Sequence, residues 1–261
     1  ADNGCAGYIN MDRINRKGHY PSYIYRGYKS HGWEGGHRIP FILSWGDRYG
    51  HVTDNSLVSL TDLYATFADM LGYRIAEDSF SFWPILDGSG NAARTDLIAT
   101  SGAGYFTYRT PQYKLIFNAG NGSGEEYRID GQPPLQFYDM VNDPEEKVNQ
   151  INNPEYAGRI REMAARVKKY IEDGRSTPGA KAANDGGNSW KQITDIMSGL
   201  YAGNYDISHV FVDNLGKAIK MPEPPSGSDQ KTSAFRNRNT EVFNWRQRAG
   251  AGHARRYRRA G

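Results

Sequence analysis

The hydrophobic pattern divides the chain into unlike stretches. Residues 1–38 show no sustained periodicity and are punctuated by Asn-Gly, Lys-Gly, Tyr-Pro, Arg-Gly and Gly-Gly pairs, the composition of loops. The apolar run Ile39–Trp45, between Gly36 and Gly46, predicts a short buried strand. Leu60, Leu63, Tyr64, Phe67 and Leu71 recur at three- and four-residue spacing and predict a helix, with Ser59 and Asp62 at its start and Gly72 at its stop. Between residues 97 and 141 the runs LIAT, YFTY, YKLIF and LQFYDM, separated by Gly, Pro and Asn clusters, predict an antiparallel sheet. Asn153 as cap, Pro154 at the first position, the stripe Ile160, Met163, Ala164, Val167 and Ile171, and Gly174 as stop predict a second helix. Ser189 and Gln192 form a capping box for a further helix carrying Ile193, Met197 and Leu200. After Met221 the Pro-, Gly-, Ser- and Arg-rich composition reads as disorder.

These elements imply an α/β chain in three parts: residues 1–96, a smaller antiparallel sheet with a helix over residues 97–190, and an unassigned, Arg-rich extension over 191–261. Charge changes the picture in one respect. Residues 231–261 hold nine Lys or Arg and one Glu, a balance of +8, so the net +3 of the whole leaves 3 − 8 = −5 on residues 1–230. A basic pI therefore describes the tail alone. No apolar stretch is long enough to cross a bilayer as a helix. The single cysteine, Cys5, excludes an internal disulfide and a multi-cysteine zinc site. The chain opens at Ala1 without Met or a readable signal peptide, and the expectation is that the true N-terminus lies elsewhere.

Two short stretches look chemical. Asp2-Asn3-Gly4 sets a carboxylate beside an amide carbonyl, two hard oxygens of the kind Ca²⁺ or Mg²⁺ takes, although the same tripeptide is a common turn. Lys29 precedes Trp33-Glu34-Gly35-Gly36 and offers a compact cation to an anionic oxygen, although an isolated lysine is ordinarily a solvated surface residue. Taken together, Asp2-Asn3-Gly4, Arg26-Gly27-Tyr28-Lys29 and Trp33-Glu34-Gly35-Gly36-His37-Arg38-Ile39-Pro40-Phe41 resemble the type I, formylglycine-dependent sulfatases, arylsulfatase-like in form. The resemblance continues in order through VSLTDLYATFADMLG (58–72), EDSFSFWPILDG (77–88), YKLIF (113–117), LQFYDMVNDPEEKVNQI (135–151) and GRSTPG (174–179), and covers roughly residues 1–190.

That resemblance implies an alkaline-phosphatase-like α/β fold, with part of its central sheet in residues 1–96. It also implies hydrolysis of a sulfate ester assisted by calcium. Carried over by position, Asp2 and Asn3 would be calcium ligands and Lys29 a sulfate contact. His31, and after it His19, are candidates to protonate a leaving oxygen. Glu34, Gly35, Gly36 and Arg38 are expected to shape the turn, the glycine pair by permitting unusual backbone angles.

The family's nucleophile motif, Cys/Ser-x-Pro-x-Arg, does not occur. Cys5 is followed by Ala-Gly-Tyr-Ile, and Ser176-Thr177-Pro178 has Ala180 where Arg is required. The family's early paired aspartates and mid-chain histidine segment are also missing, so the expectation is a C-terminal part of a sulfatase, inactive alone. The expected substrate is a sulfated small molecule or polysaccharide, and the expected location periplasmic or extracellular. Two other readings stand beside it. One is a phosphodiesterase or phosphonate hydrolase of the same superfamily, since both anions are tetrahedral. The other is a non-catalytic polyanion or nucleic-acid binder using the tail, where Phe235, Phe243, Trp245 and Tyr257 interleave with the basic residues.

Overall fold

A computed structural model of the chain describes residues 1–46, 52–74, 77–124 and 133–183. The third helix expected around Ser189 and the basic tail 231–261 lie outside the described residues. The organising element is a four-stranded antiparallel sheet, β1 (Leu97–Thr100), β2 (Phe106–Arg109), β3 (Tyr113–Ile116) and β4 (Gln136–Asp139), in sequential order. Its register sets Tyr108 opposite both Ile98 and Leu115, and Leu115 opposite Phe137.

Alternation along these strands gives the sheet two different faces. One face carries Tyr108, Leu115, Phe117 and Phe137 into a core with Ile160, Met163, Ala164 and Val167 of the long helix 157–173. The stripe expected for that helix is buried as its spacing requires; each fully buried aliphatic side chain contributes on the order of 1.5–3 kcal/mol. Asn153 caps the preceding 3-10 turn Pro154–Tyr156 by accepting from Glu155 N at 3.1 Å, and Gly174 ends the helix at φ 64°. Asp96 fastens helix to sheet, accepting from the Tyr108 hydroxyl at 2.8 Å and the Tyr170 hydroxyl at 2.9 Å.

The opposite face is unusual for a sheet interior. The residues alternating with the core set are Thr107, Arg109, Lys114, Ile116, Gln136 and Tyr138, and all but Arg109 are buried. Against them packs the N-terminal part through Gly32, Trp33 and the single turn α2 (Glu34–His37); its other helices are α1 (Met11–Arg16), α3 (Asp62–Met70) and α4 (Trp83–Leu86), and the long helix 157–173 of the other face is α5. Trp33, just before α2, packs on Ile116, Tyr138 and Met140 and donates from its indole to Gln136 Oε1 at 2.9 Å.

Two expectations for the N-terminal part are corrected. Residues 39–45 form no strand: the segment carries no ladder among the described residues, Ile42 is 88 % exposed, and Phe41, Leu43 and Trp45 are also exposed. A strand exists only by pairing, and no described strand lies alongside to satisfy its amides. Helix α3 forms nearly where expected but turns its other face inward. Asp62, Ala65, Thr66 and Ala68 are buried, while Tyr64, Phe67 and Leu71 of the apolar stripe are exposed. The inward choice follows from polar locks. Asp62 accepts bidentately from Arg94 at 2.7 and 2.5 Å and from Ser59 N and Phe80 N, and Thr66 Oγ1 accepts from Phe82 N. A buried guanidinium–carboxylate pair tolerates no solvent-facing alternative once its carbonyl partners are in place.

Candidate anion and metal site

The two chemical stretches are laid together by backbone hydrogen bonds. Gly4 N donates to Gly36 O at 3.0 Å, and Lys29 N donates to Cys5 O at 2.8 Å. The Asp2–Cys5 segment therefore runs between Lys29 and the turn α2. Glycine is required here for space. A Cβ at Gly4 would stand 1.8 Å from Gly35 O, one at Gly35 2.2 Å from Gly27 O, and one at Gly36 2.2 Å from His31 O. Neither Gly35 nor Gly36 adopts a positive φ, so the expected reason for this pair, unusual backbone angles, is replaced by close backbone approach.

The result is a cleft of about 650 Å³ between the N-terminal loops and the β1–β2 side of the sheet. Asp2, Asn3 and Lys29 all line it, joined by His37, Arg38 and Arg109. Asp2 and Lys29 are exposed, and the Lys29 ammonium has no ion-pair partner among the described residues. Asn3 Nδ2 points to Asp2 Oδ2 at 3.3 Å. Two adjacent oxygen-bearing side chains fit one edge of a calcium site, which takes six to eight oxygens. Among the described residues no cluster of three or more His, Cys, Asp or Glu completes it.

Beneath the cleft lies a buried charge network. Glu34 Oε1 is 3.1 Å from Lys114 Nζ and 3.3 Å from Arg109 Nε, while Arg38 reaches Glu34 Oε2 at 3.5 Å. Lys114 Nζ also stands 2.8 Å from Glu146 Oε1, an ion pair without hydrogen-bond alignment, and Glu146 Oε2 accepts from Glu34 N at 2.6 Å. Burial pushes the Glu34 carboxyl up, but Lys114 and Arg109 outweigh it and hold the group at about 2. Glu146 is pushed up by burial, with Glu34 adding to the rise against the pull of Lys114. Glu34 thus stays ionised and fixes α2 to the sheet.

His37 is the histidine that lines the cleft. Its Nε2 donates to Thr100 O at 3.2 Å, and burial together with repulsion from Lys114 lowers its pKa to about 4, so it is neutral at neutral pH. His31 does not line the cleft; its Nδ1 accepts from Tyr28 N at 3.2 Å and its ring packs on Tyr28 and Trp33. His19 is exposed just beyond α1. Sequence reasoning passed over His37, Arg109 and Lys114. A lysine inside the apolar run of β3 was the one available signal. Thr177, in the false nucleophile motif, has a structural task, accepting from Glu77 N at 2.7 Å where that loop runs at positive φ.

Comparison with known proteins bears on this geometry. An arylsulfatase of Hemicentrotus pulcherrimus is 34 % identical over 134 residues, 47 % of this chain. An N-acetylgalactosamine-6-O-sulfatase of Bacteroides thetaiotaomicron is 29 % identical over 167 residues, 60 % of this chain. The chain is sulfatase-like. These matches span 23 % and 32 % of the relatives' own lengths. A solved sulfatase structure described with the metabolism of multiple glycosaminoglycans by Bacteroides thetaiotaomicron superposes at a TM-score of 0.52 with 24 % identity, covering 62 % of this chain and 35 % of that one. That superposition shows a sulfatase-like fold over the matched part, whereas the part of a central sheet expected in residues 1–96 is not formed among the described residues, where every strand lies between Leu97 and Asp139. No family model matches the chain.

Proposed function

We propose that this chain supplies one wall of the sulfate-binding site of a sulfuric ester hydrolase. The observation that carries the reading is the convergence of Asp2, Asn3 and Lys29 on one cleft, with a Lys29 ammonium that has no ion-pair partner among the described residues, in a chain similar to sulfatases. Lys29 binds a non-bridging sulfate oxygen as a point charge and stabilises the negative charge that gathers there as the ester bond breaks. The side-chain oxygens of Asp2 and Asn3 would supply two of the ligands of a calcium ion. Bound calcium supplies Lewis-acid polarisation of the sulfate. The network under α2 keeps Glu34 ionised and turned toward Lys114 and Arg109, so its carboxylate does not compete for Lys29. His37, neutral and anchored to Thr100, gives the cleft a polar wall without adding charge.

A catalytic nucleophile has to come from residues other than these 261, since no Cys/Ser-x-Pro-x-Arg motif occurs among them. The chain alone is therefore an anion binder rather than a catalyst. A sulfated saccharide is the favoured substrate class, because the relatives include an N-acetylgalactosamine-6-O-sulfatase and an ulvan-active sulfatase. Such polymeric substrates favour a periplasmic or extracellular location. No described helix is long and apolar enough to cross a membrane. A phosphodiesterase or phosphonate hydrolase of the same superfamily would use the same lysine and metal edge.

The test is calorimetric titration of inorganic sulfate into the chain and into Lys29→Ala in low-salt buffer. The reading predicts measurable binding that the substitution weakens about tenfold or more, a loss of at least about 1.4 kcal/mol. Equal affinity in the two proteins overturns it.

A further inference from the structure

A lysine stem has four rotatable bonds, and an ammonium without an ion-pair partner is aimed only if its backbone is held. Four hydrogen bonds hold the backbone around Lys29. Lys29 N donates to Cys5 O at 2.8 Å. Gly102 N, in the turn between β1 and β2, donates to Ser30 O at 2.8 Å. Gly32 N donates to Asn121 O at 2.8 Å, and Thr107 Oγ1 donates to Gly32 O at 3.3 Å. Three of these four come from the antiparallel sheet and its loops, far along the chain from Lys29.

The contact at Gly102 is the most constrained. Ser30 sits at φ 76°, in the left-handed region, which a residue with a Cβ adopts only under strain. Its side chain fills the space over Gly102. A Cβ at residue 102 would stand 2.7 Å from Ser30 Cβ and 3.0 Å from Ser30 Oγ. Gly102 itself has no positive φ, so its backbone would accept alanine, and the three nearest atoms opposing a Cβ there all belong to Ser30. Ser30 and Gly102 thus form a matched pair. The bulky partner holds the strained turn that follows Lys29, and the glycine leaves room for it.

We propose that Gly102 is a positioning residue for Lys29: by accommodating Ser30 and binding its carbonyl, the β1–β2 turn sets where the Lys29 ammonium enters the cleft. This rests on the reading of Lys29 as the sulfate contact. It makes the antiparallel sheet part of the site's construction. Side-chain identity at residue 102 then governs anion affinity without residue 102 touching the anion.

The experiment uses the full chain, ¹⁵N-labelled, with inorganic sulfate as probe, in the wild type, Gly102→Ala, the double variant Ser30→Gly/Gly102→Ala, and Lys29→Ala. Gly102→Ala is expected to move the Lys29 amide resonance and weaken sulfate binding about tenfold, a loss near 1.4 kcal/mol. The double variant removes the opposing Cβ and the strain at residue 30, and is expected to return the amide resonance and to recover sulfate affinity to within about twofold, the scale of an effect below 0.5 kcal/mol. Gly102→Ala with wild-type affinity and an unmoved Lys29 amide overturns the proposal. So does a double variant that stays as impaired as the single one. Should Gly102→Ala fail to fold, the double variant decides alone: folded and binding supports the pairing, unfolded refutes it. If Lys29→Ala binds sulfate like the wild type, the reading of Lys29 falls, while the amide shift and its rescue still report whether Gly102 positions that backbone.

Discussion

Lys114 Nζ lies 3.1 Å from Glu34 Oε1 and 2.8 Å from Glu146 Oε1, with its side chain 1 % exposed. One buried ammonium thus stands between two carboxylates from segments far apart in the chain, with Arg109 and Arg38 adding charge at Glu34, and it does so from the middle of a strand. The arrangement explains how a single turn, α2, is held rigidly at the base of the cleft. A four-residue helix has little stability of its own, so Glu34 is fixed by the sheet beneath it.

Replacing Lys114 with methionine keeps the volume and removes the charge. Glu34 and Glu146 would then face each other in a buried setting with only Arg109 and Arg38 near Glu34. Breaking a buried pair in this way typically costs about 3–5 kcal/mol. Urea unfolding of Lys114→Met should show a loss of that size, with an unchanged dependence on denaturant.

The pH dependence of stability carries the signature of His37. Its folded-state pKa is lowered to about 4 from 6.5, by burial first and Lys114 second. A histidine depressed in the folded state contributes stability that is fully present above pH 6.5 and is lost as pH falls through 4. The contribution is on the order of 2–3 kcal/mol. Replacing His37 with Asn should flatten the stability profile between pH 6.5 and 4, measured by chemical denaturation at each pH. Glu34, held at about 2 by Lys114 and Arg109 against its burial, adds its own loss only further down, as pH falls from about 4.5 through 2.

Gly35→Ala should be among the most damaging single substitutions in the described residues. The new Cβ would meet Gly27 O at 2.2 Å and Arg26 O at 2.6 Å, both backbone atoms that no rotamer change can move. The turn would have to part from the Arg26–Gly27 segment, breaking the bond from Gly35 N to Arg26 O at 2.7 Å. A lower melting temperature together with lost sulfate binding is the expected result. By contrast, Gly124→Ala, where nothing lies within 4 Å of the new Cβ, should leave both unchanged.

Much of the C-terminal half could be read from sequence because its signals are local. Alternation in YKLI and QFYD, the cap Asn153, the stripe from Ile160 to Val167 and the stop at Gly174 each depend on near neighbours. The N-terminal half resisted for the opposite reason. The run Ile39–Trp45 has strand composition, but pairing partners, which composition does not encode, decide whether a strand forms. The inward face of α3 was chosen by Asp62 meeting Arg94, a contact between residues 32 apart, against its own apolar stripe. Glycines 35 and 36 looked like residues chosen for φ and proved to be chosen for contact. The candidate site residues Asp2, Asn3 and Lys29 stand out in the sequence only through the order of their motifs. His37 and Arg109 carry no pattern that separates them from ordinary polar residues.

The most direct test of the account is the linkage between calcium and sulfate. Sulfate affinity should be measured by calorimetry with and without calcium, in the wild type and in Asp2→Ala/Asn3→Ala. If both ligands share the cleft, calcium should strengthen sulfate binding about tenfold, a coupling near 1.4 kcal/mol, and the double substitution should erase that gain while leaving the fold intact. A sulfate affinity indifferent to calcium, and unchanged by the loss of Asp2 and Asn3, would contradict the assignment of this cleft as a metal-assisted sulfate site.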